Sequence, residues 1–218
     1  MDAALPSGAT SHDFFRRARA RLTLDVPTAL DDPTVEATRG DLDLDPAMWE
    51  QAGVKATRPA AVLVPVVDRS EPTVLLTLRT ELPSHPGQIA FPGGKIEPQD
   101  HTPAEAALRE AAEEIGLARA LIEPIGYLDL YLTFSGYRIL PTVARVDPDY
   151  MLVLSEREVA DAFEVPLTFL MDAQNHALHS RDWKGVTRKY YAMPFGERYI
   201  WGVTAGILRN LYERIYGG

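Results

Sequence analysis

Residues 93–117 read GGKIEPQDHTPAEAALREAAEEIGL, and the fold is decided here. Thr102 is a strong N-cap, Pro103 suits the first helical position and Glu105 completes a capping box. Gly116 supplies the C-terminal stop. The spacing predicts a helix over 103–115. At about 100° per residue, Ala104, Leu108, Ala111, Ala112 and Ile115 fall on one apolar stripe. Glu110, Glu113 and Glu114 share the opposite side at i, i+3 and i+4, as surface neighbours.

Local helix physics opposes that acidic cluster. Like charges at this spacing cost roughly 0.2–0.5 kcal/mol per pair. Glu113 and Glu114 also occupy the last turn, where the helix dipole disfavours anions. A bound divalent cation reverses the sign of each effect. Oxygen ligands alone suit hard ions such as Mg²⁺ or Mn²⁺, and Mg²⁺ is typically shared between one or two carboxylates and substrate phosphates. A solvated acidic face is the other reading of the three glutamates taken alone. The flanks favour the metal: Pro92-Gly93-Gly94 lets backbone approach a ligand closely, and Arg109 can orient the acids through charge-assisted hydrogen bonds.

Outward from the helix, the 218-residue chain is 46% hydrophobic and 24% charged, which excludes a disordered or fibrous protein. Lys plus Arg is 22 against 31 Asp plus Glu, a net charge of -9. Such a surface repels a polyphosphate backbone, so no nucleic-acid partner is expected. A small phosphorylated ligand fits only where cations collect locally. There is no cysteine, which excludes disulfides, thiolate catalysis and zinc–thiolate sites. The longest clean apolar run, Ala60 to Val67, is far short of the roughly 20 residues of a membrane span. No secretory signal is visible at the N-terminus. A soluble, cytoplasmic protein is expected.

Ser11 reads as the cap of a short helix through Leu22, with Phe14, Phe15, Ala18 and Leu22 on one side and Arg16, Arg17, Arg19 and Arg21 elsewhere. Those arginines read as a solvated face or as a basic patch. Residues 24–58 are rich in Asp, Pro and Thr, with one helical stretch near Pro46 to Gln51. Asp41, Asp43 and Asp45 alternate with Leu as an exposed edge or loop, a bound cation being the other reading. Residues 1–57 are therefore an N-terminal extension and 58–218 the main domain. There, Ala60–Val67 and Thr73–Arg79 form a strand pair across a turn, and further strands are expected at Ile125–Thr133, Ile139–Val146 and Lys189–Pro194. Helical patterns lie at 156–163 and 200–215. Interleaved strands and helices give an α/β or α+β class with a mixed sheet.

Gly94 to Leu117 resembles the Nudix box, G-x5-E-x7-R-E-U-x-E-E-x-G-U, with U apolar. Arg109 to Leu117 fits its second half. Asp100 stands where Glu is usual, with eight residues rather than seven between it and Arg109, a lengthened form that resembles the coenzyme A pyrophosphatase branch. Leu75 to Thr80 followed by His85 to Gly94 looks like that branch's upstream motif, LLTxR(S/A)-x3-R-x3-G-x3-FPGG. Thr80 replaces its Ser or Ala, the spacing is one residue short, and Pro83 or Ser84 stands about where its second Arg belongs. Ser135-Gly136-Tyr137, Glu158-Val159 with Phe163 to Leu167, and Ile200 to Ala205 also resemble the branch, so the likeness covers about 59–215.

The resemblance implies a Nudix fold, a mixed sheet sandwiched between helices. The activity it implies is Mg²⁺- or Mn²⁺-dependent hydrolysis of coenzyme A or its thioesters, giving 3′,5′-ADP and a phosphopantetheine product. Glu110 and Glu114 are then the main metal ligands, Glu113 a further one, and the Gly93 carbonyl a fourth. Arg109 holds the glutamates in place. Glu158 is the expected general base with Glu156 its rival, and either could instead cap a following helix. Arg79 and Lys95 are candidates for phosphate contact, and His85 for acid, base or ligand contact. Trp201, Tyr199 and Phe195 read as core, or as rings that stack on adenine. Family habit implies a homodimer. Other Nudix substrates (ADP-ribose, a dinucleotide cofactor, a dinucleoside polyphosphate) and a non-catalytic nucleotide-binding regulator are the competing readings. Retention of all three glutamates argues against the regulator.

Overall fold

The computed structural model describes residues 10–35, 37, 39–41, 43–46, 49–50, 53, 55–80, 87–183 and 186–217. Strand β1 is Arg39–Gly40, β2 Arg58–Val67, β3 Thr73–Arg79, β4 Ile89–Ala90, β5 Gly93–Lys95 and β6 Ile122–Tyr127. The others are β7 Tyr131–Leu132, β8 Tyr137–Val146, β9 Val159–Pro166, β10 Ala177–Trp183, β11 Val186–Phe195 and β12 Arg198–Trp201. The helices are α1 Ser11–Arg21, α2 Pro103–Ile115, the single turn α3 Leu167–Leu170 and α4 Val203–Tyr216. The large sheet is mixed, in the order β1-β7-β8-β2-β3-β4, and β10-β11-β12 form a second, antiparallel sheet.

The centre is β2, parallel to β8 from Arg58↔Tyr137 to Val67↔Val146. Its run of Ala, Leu and Val is what a strand covered on both faces requires. Alternation then sorts the side chains. Ala61, Leu63 and Val67 point to α2 and pack with Ala107, Ala111 and Ile115. Val64 and Val66 point the other way, to Phe14 and Phe15 of α1 and to Leu208 and Leu211 of α4. Helices thus sandwich the mixed sheet.

The expected pair β2–β3 holds only beside its turn, at Val66↔Val74 and Val67↔Thr73. The far end of β2 pairs with β5 instead, at Ala60↔Lys95, Ala61↔Gly94 and Val62↔Gly93. Strand β3 diverges and takes β9 and β4 as its partners. The gap that this splay opens becomes the site described below.

Other expectations need correcting. Residues 156–163 are not helical: Val159–Pro166 is a strand lying along the whole of β3, from Thr73↔Pro166 to Arg79↔Val159. A short run with Val159, Ala162, Phe163 and Val165 satisfies either period, and long-range pairing decided it. The helix expected at 200–215 starts at Val203, after strand β12. Ile125–Thr133 is two strands, β6 and β7, whereas Lys189–Pro194 lies within β11. Thr10, not Ser11, caps α1, accepting a hydrogen bond from Asp13 N. Of the stretch 46–51, Pro46, Trp49 and Glu50 are helical and the rest lies outside the described residues.

The residues ahead of β2 pack onto this frame. Arg138, 3% exposed on β8, donates to the carbonyls of Ala29, Asp32, Val35 and Ala56. Strand β1 runs parallel to β7. Asp41 turns inward rather than standing on an exposed edge: it accepts from Phe134 N at 2.8 Å and the Tyr131 hydroxyl at 3.0 Å. The α1 arginines are tied within the chain, Arg16 and Arg17 to Asp13 and Arg19 to Glu123. No helix among the described residues is long and apolar enough to cross a membrane.

Candidate active site

Helix α2 begins and ends as its sequence dictates. Thr102 Oγ1 accepts from Glu105 N at 3.1 Å, and Gly116 takes the left-handed conformation, φ 67°. The capping box is displaced by one residue, because Glu105 accepts from His101 N rather than from the cap itself.

The stripe rotates relative to expectation. Ala112 is exposed and Glu114 is buried, at 3% exposure. Residues four apart differ by only about 40° around the helix, so Glu110 and Glu114 share a direction while Glu113 swings away. The Glu113 side chain is 59% exposed and accepts from Arg109 at 3.2 Å. The three glutamates therefore divide into a pair, Glu114 buried and Glu110 half-buried, and an outlier.

The pair rests on the glycines of β5. Gly93 N donates to Glu114 Oε2 at 3.3 Å, and a Cβ built on Gly94 would overlap the Glu110 carboxylate. On Gly93 a Cβ would fall 2.6 Å from Val62 Cα, so the β2–β5 pairing admits no side chain there. Burial pushes the Glu114 carboxyl up to about 7, only partly offset by Arg79, with the charges of Glu110 and Glu158 acting in the same upward direction. Glu110 is likewise raised by burial, against the hydrogen bond from Arg109.

Arg109 spends its whole guanidinium on this site. Nε and Nη2 form a bidentate pair with Asp100 at 3.1 and 3.0 Å. Nη1 reaches Glu110 at 3.0 Å, and Nη2 the Lys95 carbonyl at 3.1 Å. The Arg109 hydrogen bond holds Asp100 below the usual carboxylate range. Asp100 is thus the partner that fixes Arg109. Its place in the motif was visible in the sequence, whereas its bidentate geometry was not.

The other expected residues separate. Arg79, at the end of β3, brings Nη1 to 3.8 Å from Glu114 Oε1. Lys95 has an exposed side chain at the cavity wall. Glu158 lies half-buried in a turn before β9, and its charge acts on both Glu110 and Glu114. Glu156 is exposed, and neither acid caps a helix because a strand follows. His85 lies outside the described residues, as do Pro83 and Ser84. Of the aromatics, Phe195 packs on Phe169 at 4.9 Å between ring centroids. Tyr199 is 43% exposed and Trp201 lines a cavity, so these two are not core.

A cavity of about 310 Å³ is lined by Arg79, Gly93 and Gly94, the residues that contact the glutamates, and by Gln88 and Lys95. Ser135, Tyr137, Val203 and Thr204 line it as well. Among the described residues no three His, Asp or Glu side chains close into a metal cage. A buried and a half-buried carboxylate above a glycine backbone are a hard-oxygen donor set that leaves room for phosphate oxygens, which fits a cation held jointly with substrate.

A profile of the NUDIX domain matches residues 57–183, more than half of the chain. An uncharacterized Nudix hydrolase NudL of Yersinia enterocolitica is 39% identical over 157 residues, 72% of this chain and 80% of that protein. The NudL of Yersinia pestis is 38% identical over 161 residues, with the same coverage. Among solved structures, an Ap4A hydrolase binary complex of C. elegans is 20% identical with a TM-score of 0.43, over 50% of this chain and 80% of that one.

Proposed function

The chain belongs to the Nudix family and is a pyrophosphohydrolase of it, and from that premise we propose that it hydrolyses the pyrophosphate bond of coenzyme A or its thioesters. The products are 3′,5′-ADP and (acyl-)phosphopantetheine. One observation carries this reading. Four separate stretches that resemble the coenzyme A branch contribute to one cavity: Arg79 from the first, Gln88, Phe91, Gly93 and Gly94 from the second, Ser135 and Tyr137 from the third, Val203 and Thr204 from the fourth. Gly93, Gly94 and Arg79 on its lining also touch Glu110 and Glu114, which links the cavity to the glutamate pair.

Nudix hydrolases use divalent metal ions. Here Glu110 and Glu114 would hold Mg²⁺ or Mn²⁺, with the Gly93 carbonyl and, from its exposed flank, Glu113 as further ligands. The ion supplies neutralisation of the pyrophosphate and a lowered pKa of bound water. Everything else belongs to the chain. Arg109, fixed by Asp100, keeps Glu110 in position. Arg79 and Lys95 contact the phosphates. Glu158 takes a proton from the attacking water. The water oxygen bonds to one phosphorus while the bond from that phosphorus to the bridging oxygen breaks, and the bridging oxygen leaves on the other phosphate. Positioning and charge stabilisation carry most of the rate.

The test is product analysis with coenzyme A, ADP-ribose, NADH and a dinucleoside polyphosphate, with Mg²⁺ or Mn²⁺ and with chelator. We expect metal-dependent release of 3′,5′-ADP from coenzyme A. Rapid cleavage of another nucleotide with coenzyme A untouched would overturn the substrate reading.

A further inference from the structure

Next to the site lies a second cavity of about 330 Å³. The two share Gln88, Ser135 and Val203 on their walls, so one extended molecule can occupy both. In a chain of net charge -9, this is where cations collect. Arg181 and Arg188 face one another in the β10–β11 register, and directly opposed residues lie on the same face of a sheet, where like charges destabilise. Tyr190 follows Arg188 on that face, and Trp201 reaches it through its pairing with Ala192. The Tyr190 and Trp201 rings meet edge to face at 5.4 Å.

Arg188 holds a further clue. Its guanidinium sits 4.6 Å over the Phe134 ring, and its Nε is buried without a hydrogen-bond partner among the described residues. A buried, unmatched donor of that kind is costly unless something else fills its need. Asp41 is the acid on the cavity wall, and its carboxylate already serves Phe134 N–H and the Tyr131 hydroxyl. The Arg188 charge acts on that carboxyl, but among the described residues no acid closes an ion pair with either Arg181 or Arg188.

We propose that this second cavity binds the phosphorylated nucleoside end of the substrate, with Arg188 and Arg181 on the 3′-phosphate and Trp201 and Tyr190 against the base. Planar guanidinium groups match phosphate oxygens in pairs, and rings that are only half-buried leave a face for stacking. The identity of that end rests on the coenzyme A reading.

The experiment is calorimetric titration of the full chain with 3′,5′-ADP and with 5′-AMP, both in EDTA so that the metal site plays no part. Wild type binds 3′,5′-ADP at least about 10-fold more tightly, the scale of one hydrogen bond to a charged group. Arg188→Met removes that preference, and Trp201→Ala weakens both ligands alike. Should Arg188→Met not fold, Arg181→Met, at an exposed position, serves in its place and narrows the preference. Equal binding of the two nucleotides by wild type, or a preference that survives in the arginine variant, overturns the proposal. A preference for 3′,5′-ADP without turnover of coenzyme A overturns the substrate reading and leaves the cavity assigned. Turnover without the preference does the reverse.

Discussion

Replacing Asp100 with asparagine keeps the shape of the side chain and removes its charge and one acceptor. The Asp100 side chain is 4% exposed and accepts three hydrogen bonds. Oδ1 takes Arg109 Nε at 3.1 Å, and Oδ2 takes Arg109 Nη2 at 3.0 Å and Glu97 N at 2.8 Å. An amide has a single oxygen. Placed where Oδ2 stands, it keeps two bonds and turns its NH₂ toward Nε; flipped, it keeps one. The better orientation still loses one charge-assisted hydrogen bond and the ion pair, about 2 kcal/mol. For a chain of this length that lowers Tm by about 4–8 °C. Thermal unfolding of wild type, Asp100→Asn, Arg109→Met and the double variant measures it, with a coupling of about 1.5 kcal/mol or more expected between the two sites. The turnover number falls too, because Arg109 also holds Glu110. A variant melting within about 1 °C of wild type, or strictly additive single effects, would refute the reasoning.

Glu114→Gln should separate stability from activity: it relieves the burial that lifts the carboxyl to about 7, so Tm holds or rises while kcat drops at least ~100-fold, and near-normal turnover would show the ligand assignment to be wrong. Glu164 is held down to about 2, chiefly by the Arg69 hydrogen bonds, from an ordinary 4.5. Because the folded value is the lower one, its stabilisation is complete above about 4.5 and fades as pH falls toward about 2. Denaturant titrations across that window should show wild type losing stability that Glu164→Gln never had, and parallel curves would contradict the pairing. Arg138→Met strands four backbone carbonyls and should cost about 3 kcal/mol or more, with earlier protease cleavage in residues 28–40; unchanged proteolysis would argue against the anchor.

Helix α2 was legible because its limits are chemical: Thr102, Pro103 and Gly116 constrain the backbone locally, whatever packs nearby. The acids it carries were legible as a group but not individually. A wheel places Glu114 with the polar residues, yet Gly93 of β5, held in place by its pairing with β2, donates to it, and that pairing joins strands far apart in sequence. The same holds for β9, whose apolar residues fit two periods until β3 is laid beside them. Asp100 looked like a departure from a motif because its value lies in a bidentate match to Arg109, which spacing alone does not reveal. Trp201 seemed to belong to a helix because the start signal at Gly202 is a positive φ of 64°, a feature that composition does not announce. The basic face of the small sheet arises only when β10 and β11 set Arg181 against Arg188.

The last carbonyls of α2 find their donors in the segment that follows it in space: Val153 N bonds Ile115 O at 2.9 Å, and Ser155 N bonds Glu114 O at 2.8 Å. Ser155 O then receives Glu158 N at 2.9 Å. The proposed base is therefore yoked to the proposed ligand through a short relay of main-chain links, and a shift of the helix end drags both acids together. Grafting this loop into a relative would carry its acid to a useful place only if the recipient's helix ended on the same rung.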